Sequence, residues 1–329
     1  MNGSVAAVSE PDIGLLDVVP WTHGYAHSWA VRWILDKHPA GRQALMHLFV
    51  PDRAGPWEIS DLRLEPKFHR HRADLTFEAV GAHGETARVI VETKVNDDMK
   101  DGQLKAYCEA SEHVVLYVPG LTGLLLAENP HRHQVRWVSG SQLADALSGV
   151  HLPHLLKSYV QEVAGHARDM EHARAAARGE RDDLPPPREG SGVRVDDLEA
   201  VAWVVETARF MRERGARPST RNTRHDYGIY WPVEYDDERF GASAYVDVVA
   251  AHGGRAYAIT IKTGDGEADD RRQVFDAASE SPGSGWRRNN RSSAANYRLW
   301  TLDAAEMTAV QAADAAMAAG AYLQRLLDA

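Results

Sequence analysis

Three side chains in the first third of the sequence have the types and spacing for phosphate or water chemistry. Asp74 heads the run ADLTFEAV, and Glu92 and Lys94 lie near the end of ARVIVETKV. In a strand, residues two apart project to the same face, so Glu92 and Lys94 point one way and Val91, Thr93 and Val95 the other. A carboxylate and an ammonium on an otherwise apolar strand must be paired, bound to metal or at an open edge, because burying either charge alone is costly. The intervening AVGAHGETA, with Gly81 and Gly84, supplies a turn, and the resulting hairpin brings Asp74 beside Glu92. Two clustered carboxylates repel unless a proton or cation sits between them. Hard oxygen ligands suit Mg²⁺, which accepts one or two carboxylates and keeps several waters. Lys94 then stands where it can orient, or help deprotonate, a water.

The elements that must position these groups can be read on either side. Upstream, SWAVRWILDKH is helical up to Pro39, RQALMHLF is a short second helical piece, and Trp57 to Phe77 alternates as two strands. Tyr25, Trp29 and Trp33 form an aromatic stripe at i, i+4 spacing, expected to be core. Downstream, Asn96, Asp97 and Asp98 suit the start of a helix carrying Gln103 and Tyr107, one turn apart on one face. HVVLYVPG reads as a buried strand, LTGLLLAEN as a helix, QVRWVSG as a strand and SQLADALSG as a serine-capped helix. Strand and helix alternating after a hairpin give an α/β layered domain.

Asp74, Glu92-Thr93-Lys94, Gln103 and Tyr107 resemble the D…ExK…QxxxY pattern of the PD-(D/E)XK nuclease superfamily, over residues 57 to 118. The resemblance implies a restriction-endonuclease-like mixed sheet flanked by helices and a metal-dependent phosphodiesterase, acting on DNA by analogy, in restriction or defence. It implies that Asp74 and Glu92 hold Mg²⁺, or Mn²⁺ in its place. Lys94 would serve the attacking water, and Gln103 and Tyr107 would line the site. Many members carry a further glutamate on the first helix. HGYAHSWAVRWILDKH has none, leaving Glu65 and Glu58 as candidates to stand in. The alternative is a catalytically inactive protein of the same fold, acting as a nucleic-acid-binding or regulatory module.

A length of 329 residues suggests two domains. The run LPPPREGSG marks a linker, dividing residues 1–182 from an α/β domain at 196–329, with the linker over 183–195. The only cysteine, Cys108, excludes an intramolecular disulfide and a cysteine-based zinc site, which fits a cytoplasmic location. No secretory signal and no membrane-spanning apolar run is expected. The net charge of −10 denies the chain a general attraction to polyanions, so nucleic-acid contact must come from local basic patches.

Three such patches occur. Arg70 and Arg72 in KFHRHR precede Asp74. Six arginines stand against Glu213 between residues 209 and 225, among them Arg217, Arg221 and Arg224. Arg287 and Arg288 follow Trp286 in a Gly/Ser-rich stretch. The apolar face of the alanine-rich C-terminal helix is expected to pack on the second domain or on another copy of the chain, so a homodimer or a protein partner is a further alternative. The second half also echoes the first. Asp247 matches Asp74, Lys262 matches Lys94 and Gln273 matches Gln103, while neutral Thr260 takes the place of Glu92. The echo suggests a degenerate copy of the first domain whose strand order should match.

Overall fold

Pro39 divides the first helical stretch in two, because a proline has no N–H to continue a helix but is tolerated at a helix start. Helices α1 (Gly24–Lys37) and α2 (Pro39–Phe49) result. The structure is a computed structural model. It describes residue 15 and residues 24–52, 55–68, 70–95, 102–120, 134–184, 195–222, 226–233, 244–251, 256–263, 280–289 and 297–328.

After α2 come β1 (Glu58–Leu64), a small hairpin of β2 (Lys67–Phe68) and β3 (His71–Arg72), then β4 (Leu75–Val80) and β5 (Thr86–Thr93). The expected pair of strands over Trp57 to Phe77 is thus β1 and the start of β4, with the basic hairpin between them. The β4–β5 turn closes through the Gly81 N–H to the Glu85 carbonyl (2.8 Å), and Gly84 takes a φ of 79° that a side chain would disfavour. Next are α3 (Gln103–Ala110), β6 (His113–Val118), β7 (Val135–Ser139), α4 (Gly140–Leu147) and α5 (His154–Ala177). The cap of α4 is Ser139, whose hydroxyl accepts the Gln142 N–H while the Gln142 side chain returns to the Ser139 N–H. The expected helix LTGLLLAEN and the cap residues Asn96 to Asp98 lie outside the described residues.

The first sheet has the order β1-β4-β5-β6-β7. β1, β4 and β5 are antiparallel neighbours, whereas β5, β6 and β7 run parallel. Its two faces bury separate cores. Leu75, Phe77, Val89, Val91, Val115 and Tyr117 pack with α1, α2, α4 and α5. Ile90, Val114, Leu116 and Val118 pack with Leu104 and Tyr107 of α3. The period of two sorts β5, which is why its sequence is apolar almost without break.

The second half holds α6 (Val195–Glu213), β8 (Ser219–Asn222), β9 (Asp226–Pro232), β10 (Ala244–Ala251), β11 (Tyr257–Thr263), β12 (Arg287–Arg288), β13 (Tyr297–Asp303) and α7 (Ala309–Leu327). Its sheet order is β12-β13-β11-β10-β9-β8, every pairing antiparallel. One face packs Val246, Val248, Ile229, Ile259 and Ile261 against α6 and the alanine face of α7. The echo with the first half holds for three strands. β9-β10-β11 repeats the order and directions of β1-β4-β5, but β13 runs antiparallel to β11 where β6 runs parallel to β5. The second sheet is therefore no copy of the whole first unit.

The expected boundary at residue 182 is crossed by packing. Ala173 and Ala177, in the last turns of α5, belong to the second core. Glu206 of α6, 0% exposed, accepts from Arg174 Nε of α5 at 2.5 Å and from Arg209 Nε at 2.8 Å, with Arg178 Nη1 at 3.5 Å. The proline-rich stretch over 185–194 lies outside the described residues.

Candidate active site

The β4–β5 register pairs Leu75 with Val91, so the next step sets Asp74 opposite Glu92. Both lie on the α3 side of the sheet, at the carboxyl end of β5. Asp74 is fixed from its backbone outward. Its carbonyl accepts the Glu65 N–H at 3.0 Å, and Glu65 itself takes a φ of 51°. That left-handed conformation costs a non-glycine residue about 1–2 kcal/mol and here places the Asp74 strand entry. The Asp74 carboxylate Oδ2 accepts the Thr93 N–H at 2.6 Å.

Glu92 is buried, with 3% of its surface exposed. Lys94 Nζ lies 3.0 Å from Glu92 Oε1, and the Lys94 backbone N–H continues the ladder to the Tyr117 carbonyl at 2.9 Å. Gln103, at the start of α3, donates one amide hydrogen to Glu92 Oε1 (2.9 Å) and the other to the Tyr107 hydroxyl (2.7 Å). Tyr107 has one hydroxyl proton and two acceptors before it, the Arg72 carbonyl at 2.7 Å and Glu92 Oε2 at 3.1 Å. The five residues singled out by the sequence pattern thus converge, and α3 braces them against the basic hairpin.

The electrostatics follow from this crowding. Burial pushes the Asp74 carboxyl up to about 7, and the neighbouring Glu92 charge adds to the rise; the Thr93 N–H and Lys94 oppose it. Tyr107 is also raised, by burial first and by Glu92 second. The pair is short of positive charge even with Lys94 in contact. Two hard carboxylates in that condition fit a divalent cation in donor chemistry and in number. Among the described residues no group of three or more His, Cys, Asp or Glu side chains is arranged to hold a metal.

Of the two glutamates expected to stand in for the missing helix residue, the fold separates them. Glu65 is close enough for its charge to raise Asp74, whereas Glu58 pairs with Val80 at the other end of β4. Glu65 Oε2 also holds Arg72 Nη1 at 3.1 Å on the surface. Arg70 stands by the start of α3, its Nη2 3.5 Å from where a Gly102 Cβ would be.

The larger basic patch is not the free cationic surface that its composition suggested. Arg209 is engaged by Glu206 and Glu213, Arg212 donates to the Pro218 carbonyl, and Arg214 reaches Asp314 at 2.7 Å. Arg217 is exposed, while Arg224 and the side chain of Arg221 lie outside the described residues. Arg287 and Arg288 are exposed on the edge strand β12 rather than in a loop.

Two features escaped the sequence reading. Behind Glu92, Ser28 Oγ of α1 meets Thr93 Oγ1 at 2.9 Å. Beside it, buried His27 Nδ1 lies 3.1 Å from the Tyr159 hydroxyl, which lies 3.0 Å from that of Tyr117. Only the lone polar residues within apolar runs hinted at them.

In the second sheet Asp247 pairs in register with Thr260, as Asp74 faces Glu92, and Lys262 follows two residues on. There the lysine ammonium bonds the aspartate directly, and both residues are buried. Gln273 lies outside the described residues. No helix among the described residues is long and apolar enough to cross a membrane. No family model matches the chain, and no curated protein and no solved structure matches it.

Proposed function

We propose that the chain is a Mg²⁺-dependent phosphodiesterase of the PD-(D/E)XK kind, with a restriction-endonuclease-like first domain that cleaves nucleic acid. The observation that carries this reading is the convergence of Asp74, Glu92 and Lys94 at one strand end, with Gln103 and Tyr107 locking Glu92. Asp74 and Glu92 would hold the cation. When bound there, Mg²⁺ neutralises charge developing on the phosphoryl oxygens and makes a water more acidic. Lys94, anchored on Glu92, would orient the attacking water and balance the charge of the pair. Arg70 and Arg72, on the hairpin beside Asp74, would position the backbone. The Arg72–Glu65 pair is exposed and so worth about 0–1 kcal/mol, which leaves Arg72 available to a phosphate. DNA is the substrate favoured by the resemblance.

One observation favours the non-catalytic rival. Both Glu92 oxygens already face donors, Oε1 from Lys94 and Gln103 and Oε2 from Tyr107. A cleavage assay on plasmid and on single strands, with Mg²⁺, with Mn²⁺ and with chelator, separates the readings. Metal-dependent cutting that Lys94→Ala reduces by at least about 100-fold supports the enzyme. Binding without cutting under either metal supports the rival.

A further inference from the structure

The aromatic stripe of α1 runs along the margin of the core, with Tyr25 in solvent and Trp33 packed on the core by one side. Tyr25 is 55% exposed, Trp29 and Trp33 are half-buried, and the two indoles meet edge to face with centroids 5.1 Å apart. The core side of the same helix is made by Ala26, Ala30, Val31, Ile34 and Leu35. The expectation that the stripe is core holds in part for Trp33, which packs against the first core, and is corrected for Tyr25, because the smaller aliphatic residues already fill the space under the helix.

A cleft on this outer side is lined by Trp29, Arg32, Trp33, Asp36 and Lys37. Lys37 and Asp36 neutralise each other at 3.0 Å. Arg32 has no ion pair among the described residues, and its Nε is buried without a hydrogen-bond partner. A guanidinium without an ion-pair partner, sharing a cleft with two indoles, fits an anion joined to flat apolar groups. A nucleic-acid strand supplies both, phosphate for the cation and bases for the rings.

The stripe begins near the strand end that carries the candidate site. Gly24 heads α1, and a Cβ there would lie 3.6 Å from the carbonyl oxygen of Thr93, the residue whose N–H holds Asp74. Tyr25 therefore stands near the C-terminal end of β5, on the face of the sheet opposite Asp74 and Glu92. From Tyr25 to Trp33 the stripe runs about 12 Å along the helix, away from that end.

We infer that α1 is a docking rail for single-stranded nucleic acid, whose bases stack on Tyr25, Trp29 and Trp33 while Arg32 holds the backbone. A duplex keeps its bases stacked inside and cannot use such a rail. The inference deepens the proposed function and rests on it only for where the bound strand is cut.

The test uses the full chain in EDTA, so that binding is read without cleavage. Fluorescence anisotropy follows a labelled oligothymidylate of about 20 nucleotides and a duplex of equal length. The single strand is expected to bind more tightly. Tyr25→Ala and Trp29→Ala should each weaken it about tenfold, and Arg32→Gln should weaken it and lower the salt dependence. Tyr25 is exposed, so its replacement leaves the fold intact even if that of Trp29 does not. The inference is overturned if the strand does not bind, if the duplex binds as well, or if Tyr25→Ala and Arg32→Gln bind like the native chain. A chain that cuts but whose α1 variants bind normally loses this inference and keeps the proposed function. A strand bound through α1 and never cut has the opposite meaning.

Discussion

Replacing Asp74 with asparagine should make the metal-free protein more stable above neutral pH. The carboxyl stands near 7 in the folded chain instead of its ordinary 3.8, through burial and the charge of Glu92. The folded state thus holds a proton that the unfolded state has already released between about pH 4 and 7. Stability present below the lower of those values falls as pH rises through the window, by at most about 1.4 kcal/mol per pH unit and roughly 4 kcal/mol in all. Because Glu92 shares the site, the loss belongs to the pair of carboxylates. Asparagine carries no charge, and its carbonyl can still accept the Thr93 N–H, so Asp74→Asn should abolish most of the fall. Urea unfolding at about pH 5 and pH 8.5 in chelator measures this. The native chain should lose stability between the two, and the variant should exceed it by about 2–4 kcal/mol at the higher pH. Millimolar Mg²⁺ should then stabilise the native chain and leave the variant unchanged. A variant that follows the native chain across the whole range, or is the weaker of the two at pH 8.5, refutes the reasoning.

Two further substitutions probe the frame around the site. Glu206→Ala removes the buried carboxylate shared by Arg174, Arg178 and Arg209, which keep Glu171, Glu180 and Glu213 as outer partners, and should cost about 1.5–3 kcal/mol in chemical unfolding; a loss below about 0.5 kcal/mol would contradict that account. Gly120→Ala puts a Cβ 2.3 Å from the Val95 carbonyl oxygen, a backbone atom that cannot swing aside. It should cost about 1–3 kcal/mol, and an unchanged melting temperature would show that the Val95 strand end gives way freely.

The candidate site was legible because each step depends on a local period. Glu92 and Lys94 share a face through the strand repeat of two, Gln103 and Tyr107 through one helical turn, and the Gly81–Gly84 turn makes Asp74 return to Glu92. What remained hidden depends on tertiary partners. Arg209, Arg212 and Arg214 read as a basic patch because Glu206 and Asp314 lie on other parts of the fold or were outside the counted window. Tyr25 was misplaced because polar His27 and Ser28 are on the buried side of α1, held by Tyr159 and Thr93, so hydrophobic periodicity pointed the wrong side of the helix inward. The direction of β13 was equally invisible, since a strand's residue pattern reads the same both ways along the sheet. Three matched positions, Asp247, Thr260 and Lys262, did foretell a shared register.

Helix α5 is a beam set into two walls. It is 24 residues long, about 36 Å, and it begins in one apolar core and ends in the other. Trimming the gene at the proline run would leave Ala173 and Ala177 bare on one fragment and strip Glu206 of two of its three guanidinium partners on the other. The covalent tether and the mechanical joint are therefore different places, and a dissection faithful to this molecule carries residues 173–177 with the C-terminal piece.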